Sequence, residues 1–497
     1  MAGATRKHVL AVAVVMYAAI GAVVFWAGYL RSDYYRSRCA QRLSQRLGLP
    51  CDIGAIRPRS LRTIEFRDVT VWLPERRGPA LRCTSALLTR LPDDEYELRL
   101  VGGRCEVSSR TWLRSDYRAV VTRGLRPGFD PDGPRRVVFE NLTLVLQRGS
   151  LVAELARAAG KIDFLDTHQA RAAAVCREFN GYRTDKPIVL TAGFSPGPTG
   201  ILIDEVLLTL PEMPVSAAGL QALGVPLETG SFAGKLEYRE TGRHRTVVLH
   251  GRCTDLDLSQ CTAVLAVPWR GRCPEVELQE LRLVDRRLQR LRFRGLLEDV
   301  AAADVLAAWG IAAGGGRLRL EVGQADISPD GIEKLVLAGT LSGFELEPLT
   351  RGLGLGVMTG RLDVRIDDLT IAANRVVSAD AVVETAPSGR CAGWIETRLL
   401  RELGQRLLHV SLPAWGEGRI EYRRLGTRLE VRDELLAVFG THGPDESVIL
   451  TLDLLGRPMP VVYQPQRVFV LTPWLDSVRS ELRRRLQEHL RGALPPS

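Results

Sequence analysis

The sequence predicts a mainly β protein, built as an elongated antiparallel sheet with short helices at its corners, between an apolar N-terminal helix and an amphipathic C-terminal one. Three observations carry this. Apolar and charged residues alternate over long stretches, a Gly-[Arg/Lys]-[Leu/Ile] strand opening recurs four times, and residues 9–30 carry no charge.

The chain has 497 residues, enough for several cores. Apolar residues make up 45% and charged residues 25%, which is ordinary for a folded protein. Net charge is +9, and only five of the 67 basic residues are Lys (Lys7, Lys161, Lys186, Lys235, Lys334). The arginines alternate with Glu and Asp and form no block, so no nucleic-acid partner is expected. Four regions follow: a tip and anchor at 1–31, a β-rich region at 32–214, a repeat-containing β-rich region at 215–472, and a helix with tail at 473–497.

Val9 to Leu30 is bracketed by Arg6, Lys7 and Arg31. As a helix these residues span roughly 33 Å, the thickness of a bilayer core. Tyr17, Trp26 and Tyr29 suit membrane interfaces. The small pair Ala19 and Gly21 is followed by more apolar sequence, which fits an uncleaved anchor better than a signal peptide. Arg36, Arg38, Arg42 and Arg46 run against a strict positive-inside count, but long domains translocate largely regardless of such charge.

Cys39 to Leu49 then reads as a short helix with Leu43 and Leu47 on one face and Gly48 ending it. Beyond it, Leu318, Leu320 and Val322 interleave with Arg317, Arg319 and Glu321. Leu362, Val364 and Ile366 interleave with Asp363, Arg365 and Asp367. A period of two puts the apolar side chains on one strand face and the charges on the other. These six apolar residues are the candidate groove. Arg and Glu on the wet face can pair across strands, each pair contributing on the order of 0.5 kcal/mol.

The strand opening starts at Gly234, Gly316, Gly360 and Gly418, at spacings of 82, 44 and 58 residues. Each copy follows a stretch able to form a helix: Val215–Leu223, Asp299–Trp309, Leu349–Leu353 and Trp394–Leu408. Unequal spacing fits a meander that grows by hairpins, not a solenoid of fixed period. A second recurring piece places an acid or amide inside a strand, as in Phe66-Arg67-Asp68-Val69, Phe139-Glu140-Asn141-Leu142 and Ile366-Asp367-Asp368-Leu369. Near the end, Thr472-Pro473 is a helix start. Leu475, Val478, Leu482, Leu486 and Leu490 follow at helical spacing, either as a cap on the sheet or as a membrane-surface helix.

Nine cysteines include no Cys-x-x-Cys. Cys253, Cys261 and Cys273 allow one local disulfide or serve as small apolar residues in strands. No His-Glu-x-x-His or Gly-x-Ser-x-Gly occurs. The run Gly352 to Gly360 lacks dinucleotide-loop spacing and leads into a strand, so it reads as a corner. No catalytic, cofactor-binding or metal-binding residues are assigned, and no enzyme activity or cofactor is expected.

The anchor with Leu47-Gly48-Leu49-Pro50-Cys51-Asp52-Ile53-Gly54, the strand Asp68-Val69-Thr70-Val71, and Thr359-Gly360-Arg361-Leu362-Asp363-Val364 together resemble the AsmA-like superfamily, the AsmA, TamB and YdbH-type envelope proteins. The resemblance implies a single-span inner-membrane protein whose bulk is periplasmic. It further implies a U-shaped β-sheet trough with an apolar inner face, and conduction or organisation of phospholipid between inner and outer membranes. Membrane phospholipids and other envelope proteins are the implied partners. Two alternatives stay open: a non-enzymatic scaffold or assembly factor for outer-membrane proteins, and an anchored hydrolase.

Overall fold

The protein is described by a computed structural model over residues 28–47, 50–72, 79–93, 95–108, 133–148, 151–197, 200–220, 227–241, 244–263, 269–307, 314–352, 356–386, 392–402, 418–466 and 468–470, with Met16. Most of the expected anchor and all of the expected C-terminal helix lie outside these residues. Among the described residues no helix is long and apolar enough to cross a membrane. The fold is mainly β, in antiparallel sheet with a few short helices. It divides into two compact units, Met1–Met213 with Ala217–Ala222 and Leu236–Arg245, and Pro214–Ser216 with Leu223–Lys235 and Thr246–Ser497.

In the first unit, helix α1 covers Asp33–Leu47. It starts six residues before the expected Cys39 because Ser32 caps it, its Oγ accepting the Tyr35 N–H at 3.2 Å. Leu43 packs against Cys51 and Val71, and Ser44 Oγ accepts the Cys51 N–H at 2.9 Å. The strands are β1 (Cys51–Pro58), β2 (Thr63–Trp72), β3 (Pro79–Arg90), β4 (Tyr96–Ser108), β5 (Arg136–Arg148), β6 (Leu151–Phe164), β7 (Ala170–Phe179), β8 (Tyr182–Gly197) and β9 (Gly200–Pro214). Each pairs with the next in antiparallel fashion except β4 and β5, which are parallel. That exception to the antiparallel expectation fits the long connection 109–135, since a parallel pair needs a crossover of a dozen residues or more.

Helix α2 (Val215–Ala218) and β10 (Ser231–Thr241) are cut by the division between units. Next come β11 (His244–Asp257), α3 (Leu258–Ala263), β12 (Arg272–Val284), β13 (Arg287–Ala301), α4 (Ala302–Ala307), β14 (Gly314–Ser328) and β15 (Gly331–Glu345). They are followed by α5 (Leu346–Gly352), β16 (Arg361–Ala372), β17 (Arg375–Thr385), β18 (Gly393–Glu396), α6 (Thr397–Glu402) and β19 (Arg419–Arg432). The last are β20 (Leu435–Gly440), β21 (Val448–Leu454), β22 (Arg457–Tyr463) and β23 (Phe469–Val470). Strands β11 to β17 form an antiparallel meander.

All four expected helical stretches hold a helix, with shifted ends. Helix α2 stops at Ala218, before Gly219 at φ 71°. Asp299–Ala301 still belongs to β13, and Trp394 lies in β18, so α4 and α6 start later than the spacing suggested. Helix α3 was not expected; six residues are too few for a helical period, and the start rests on the Asp257 carboxylate accepting the Ser259 N–H at 2.9 Å. Strands β14, β16 and β19 open within two residues of their expected glycines, but Gly234 lies inside β10. There a Cβ would fall 2.1 Å from the His250 carbonyl oxygen and 2.8 Å from the Phe232 ring.

Two local devices shape the meander. Among the described residues, five hairpins turn on two residues that both take positive φ: Asn180-Gly181, Asp285-Arg286, Ala373-Asn374, Asp433-Glu434 and Leu455-Gly456. Such turns match the right-handed twist of the strands. The mid-strand acid or amide is the second device in two of its three copies: Asp68 (φ 49°) and Asn141 (φ 53°) are left-handed inside strands, whereas Asp367 and Asp368 are not. Asn141 sits at a register shift between β5 and β6, and Asp299 (φ 55°) at one between β13 and β14. Short polar side chains tolerate this backbone.

At Gly181, φ is 79° and a Cβ would meet nothing within 4 Å, so Gly181→Ala isolates backbone strain. Its expected cost is about 1 kcal/mol, whereas Arg286→Gly removes the same strain and is expected to stabilise by a few tenths of a kcal/mol. Denaturant melts of both variants test the pair; equal effects would refute the turn assignment.

Candidate functional site

The six groove residues share one face of the β14–β16 sheet. Leu318 of β14 pairs with Leu341 of β15, and Leu341 with Val364 of β16. That row continues to Val300 on β13 and Val383 on β17. The next row runs Leu297, Leu320, Gly339, Ile366, Ala381 and Leu429. A third runs Val322, Leu337, Leu369, Ala379 and Val431. Register partners point to the same side, so these rows make one continuous apolar surface.

Its cover is uneven. Leu362 is 7% exposed and belongs to a buried cluster with Phe344, Leu346, Met358, Leu399 and Tyr422, against which Leu318, Leu341 and Val383 also pack. Val322 is 4% exposed. Leu318, Leu320, Val364 and Ile366 are only half-buried. Arg317, Arg319, Glu321, Arg365 and Asp367 are exposed, and Asp363 is half-buried, accepting the Gly343 N–H at 2.8 Å. One end of the face is therefore closed by α5, α6 and the strands β18, β21 and β22, while the middle rows keep apolar surface in contact with solvent.

The closed end includes one contact that sequence reasoning missed. The Tyr422 side chain is fully buried and its hydroxyl donates to the Thr359 carbonyl at 2.6 Å. Burial pushes the phenol well above its ordinary pKa. A Cβ on Gly360 would lie 2.2 Å from that hydroxyl, and Gly360 has φ 123°. The third and fourth copies of the strand opening thus meet, with the Tyr of one seated on the Gly of the other. The recurrence of Gly418 to Tyr422 and Gly360 to Val364 was the available signal.

The opposite face is stitched by charge. Asp326, 5% exposed, accepts from Arg290 at 2.9 Å and Arg292 at 2.8 Å. The Arg290 hydrogen bonds, followed by those from Arg292, hold its carboxyl below the usual range against the opposing effect of burial. Arg428 bridges to Asp380 and Arg294 to Glu277 in the same manner. In the first unit, Glu65 is buried and served by Arg59, Arg67 and Ser85.

Cys253 and Cys273 are buried on adjacent strands but face Val276 and Leu256 respectively, as small apolar strand residues do. The Cys261 side chain lies outside the described residues. Burial pushes the Cys83 thiol up to about 11 and the Cys105 thiol up to about 12, far from nucleophilic values. Among the described residues no group of three or more His, Cys, Asp or Glu side chains is placed to hold a metal ion.

Two predictions follow from this geometry. Gly360→Ala is expected to destabilise by roughly 3 kcal/mol or more and Tyr422→Phe by about 1–2 kcal/mol. The double variant should recover part of the Gly360→Ala loss, because Phe removes the clashing oxygen; strict additivity would refute the contact. For Asp326, a depressed folded-state pKa means stability that is present above the usual Asp value of 3.8 and lost as pH falls through the lower folded value. Asp326→Asn should therefore cost about 1–2 kcal/mol near neutrality and flatten the acid limb of stability below about pH 4. An unchanged acid limb in urea melts would count against this coupling.

No protein-family model matches the chain, and no curated protein or solved structure matches it.

Proposed function

We propose that this chain is a membrane-anchored envelope protein that binds phospholipid acyl chains along the apolar face of β14–β17 and conducts or organises them. The observation that carries the reading is the uneven cover of that face: rows of Leu, Val and Ile in register across several strands, closed at one end, buried again at Val322 and Val431, and half-buried between at Leu320, Leu337, Val364 and Ile366. A surface with one apolar side must be covered by another layer or by something else apolar. Acyl chains suit it, since each buried CH₂ contributes about 0.8 kcal/mol. The charge-free run Val9–Leu30 supports a single span, and the resemblance to AsmA-like proteins supports an inner-membrane, periplasm-facing topology and a trough-shaped sheet.

The test is Val364→Asp and Leu320→Asp, both at half-buried positions. On this reading each lowers stability by only about 1 kcal/mol, because the new charge stays hydrated, yet abolishes crosslinking of a phospholipid with a photoactivatable acyl chain to β14–β16. In a closed core an unpaired carboxylate costs several kcal/mol, comparable with the 5–15 kcal/mol of a whole domain. Unfolding of both variants, with no crosslink in the parent protein, would move the assignment to a scaffold or assembly factor whose apolar faces pack on each other.

A further inference from the structure

The five two-residue turns with paired positive φ differ in what they place first. Four begin with Asn180, Asp285, Ala373 or Asp433, residues that are polar or small. The fifth, joining β21 to β22, begins with Leu455 at φ 55°, followed by Gly456 at φ 81°. A left-handed backbone disfavours leucine, and Asn, Asp or Gly would satisfy the turn. Leu455 is also fully exposed, at 104%. Backbone preference and hydration both oppose leucine here, and at this exposure burial among the described residues does not offset them.

The surroundings indicate what does. Leu455 borders an open groove lined by Arg419, Ile420, Glu421, Asp453, Leu454 and Gly456. The Asp453 charge is taken up inside the fold, by Arg423 at 2.8 Å and by the Gly456 N–H at 2.7 Å. The Arg419 guanidinium lies over the Trp394 ring at 4.0 Å and forms no ion pair among the described residues. Arg457, directly after the turn, is exposed, and so is Met459 at 44%. A projecting leucine, with an exposed methionine four residues on and two arginines that form no ion pair among the described residues, has the chemistry of a bilayer interface: apolar atoms for the acyl boundary, cations for phosphate headgroups.

We propose that the β21–β22 turn is a membrane-contact tip, inserting Leu455 at the surface of an anionic bilayer while Arg419 and Arg457 pair with lipid phosphates. This holds whether or not the β14–β17 face carries lipid.

Hydrogen exchange of the full chain tests it, with vesicles of phosphatidylcholine alone or with a third of the lipid replaced by phosphatidylglycerol. The readout is local, so attachment through residues 9–30 does not mask it. Amides of 453–457 are expected to slow by about tenfold, equivalent to about 1.4 kcal/mol, on the anionic vesicles only. Leu455→Asp should abolish this slowing, and Arg419→Gln with Arg457→Gln should weaken it, while exchange in β16 and β17 stays that of the parent, showing the fold intact. Lipid uptake by the groove would slow β14–β17 and leave the turn unchanged. No slowing at the turn, or equal slowing on both vesicles, overturns the proposal. Slowing that grows with protein concentration in the absence of vesicles overturns it in favour of a second copy of the chain.

Discussion

Everything in this fold depends on keeping the two-residue side-chain period in phase from one strand to the next. A slip of one residue would carry every leucine of a row to the charged side and every arginine to the apolar side. The chain prevents this with turns of fixed length. At Asp285-Arg286, Ala373-Asn374 and Asp433-Glu434 both residues take left-handed backbone, which fixes which residues of the flanking strands face each other. Where a strand must gain a residue, the extra one is absorbed locally, as at Asn141 and Asp299, and the register resumes beyond it. The rows through Leu318, Leu320 and Val322 are the outcome of that bookkeeping.

The charged face reinforces the same phase. Arg292 lies directly across from Asp326 in register, and Arg290, two residues earlier, reaches the same carboxylate. Moving β14 by one residue would bring Ala325 or Ile327 opposite Arg292 and leave Asp326 on the apolar side without its partners. Exposed ion pairs contribute little to stability. A buried carboxylate with two guanidinium partners penalises the wrong register far more than it favours the right one. The abundance of arginine is consistent with this use, because a planar fork can reach a carboxylate on the neighbouring strand and one further along it.

Much of this was legible in the sequence because period-two patterning needs no long-range information. The alternation at 317–322 and 361–367 located strands, and the recurring Gly-[Arg/Lys]-[Leu/Ile] segment located three strand starts. The helical stretches before them were found for the same reason, although their ends shifted where Gly219 stopped one and Trp394 joined a strand instead. What escaped was set by tertiary contact. The parallel pairing of β4 with β5 leaves no mark in either strand's own pattern. Helix α3 is too short to show a period. Tyr422 looked like one more alternating residue; only the approach of β19 to the 359–360 corner makes it the residue on which Gly360 depends. Period two puts Leu318, Leu320, Val322, Leu362, Val364 and Ile366 on one strand face, but their differing exposure, Leu362 covered and Ile366 half-open, follows from α5, α6 and β18.

That unequal cover has a cause in the chain itself, which lies in β19. Its second half, from Gly426, pairs with β17 and β20 and continues the main sheet. Its first half pairs instead with β18 and β21. One strand therefore belongs to two sheets, and the strands that leave with its first half fold over the end of the apolar face, where Ile395, Leu450 and Leu452 join Leu362 in the buried cluster. A fork of this kind separates backbones that would otherwise pair, so polar side chains must serve the exposed groups. Thr385 Oγ1 accepts the Leu425 N–H and donates to its carbonyl, both at 3.3 Å. Glu384 accepts from Arg424 and Thr441, each at 2.8 Å. Burial would raise the Glu384 carboxyl, yet these two donors hold it below its usual range, so it stays ionised within the fork. Gly426 leaves room at the branch for Thr441, since a Cβ there would lie 2.1 Å from Thr441 Oγ1 and displace that hydroxyl. Closing the face entirely would need the same departure repeated strand after strand. The meander makes it once in the second unit's described strands, and the row through Leu320 and Ile366 stays half-buried.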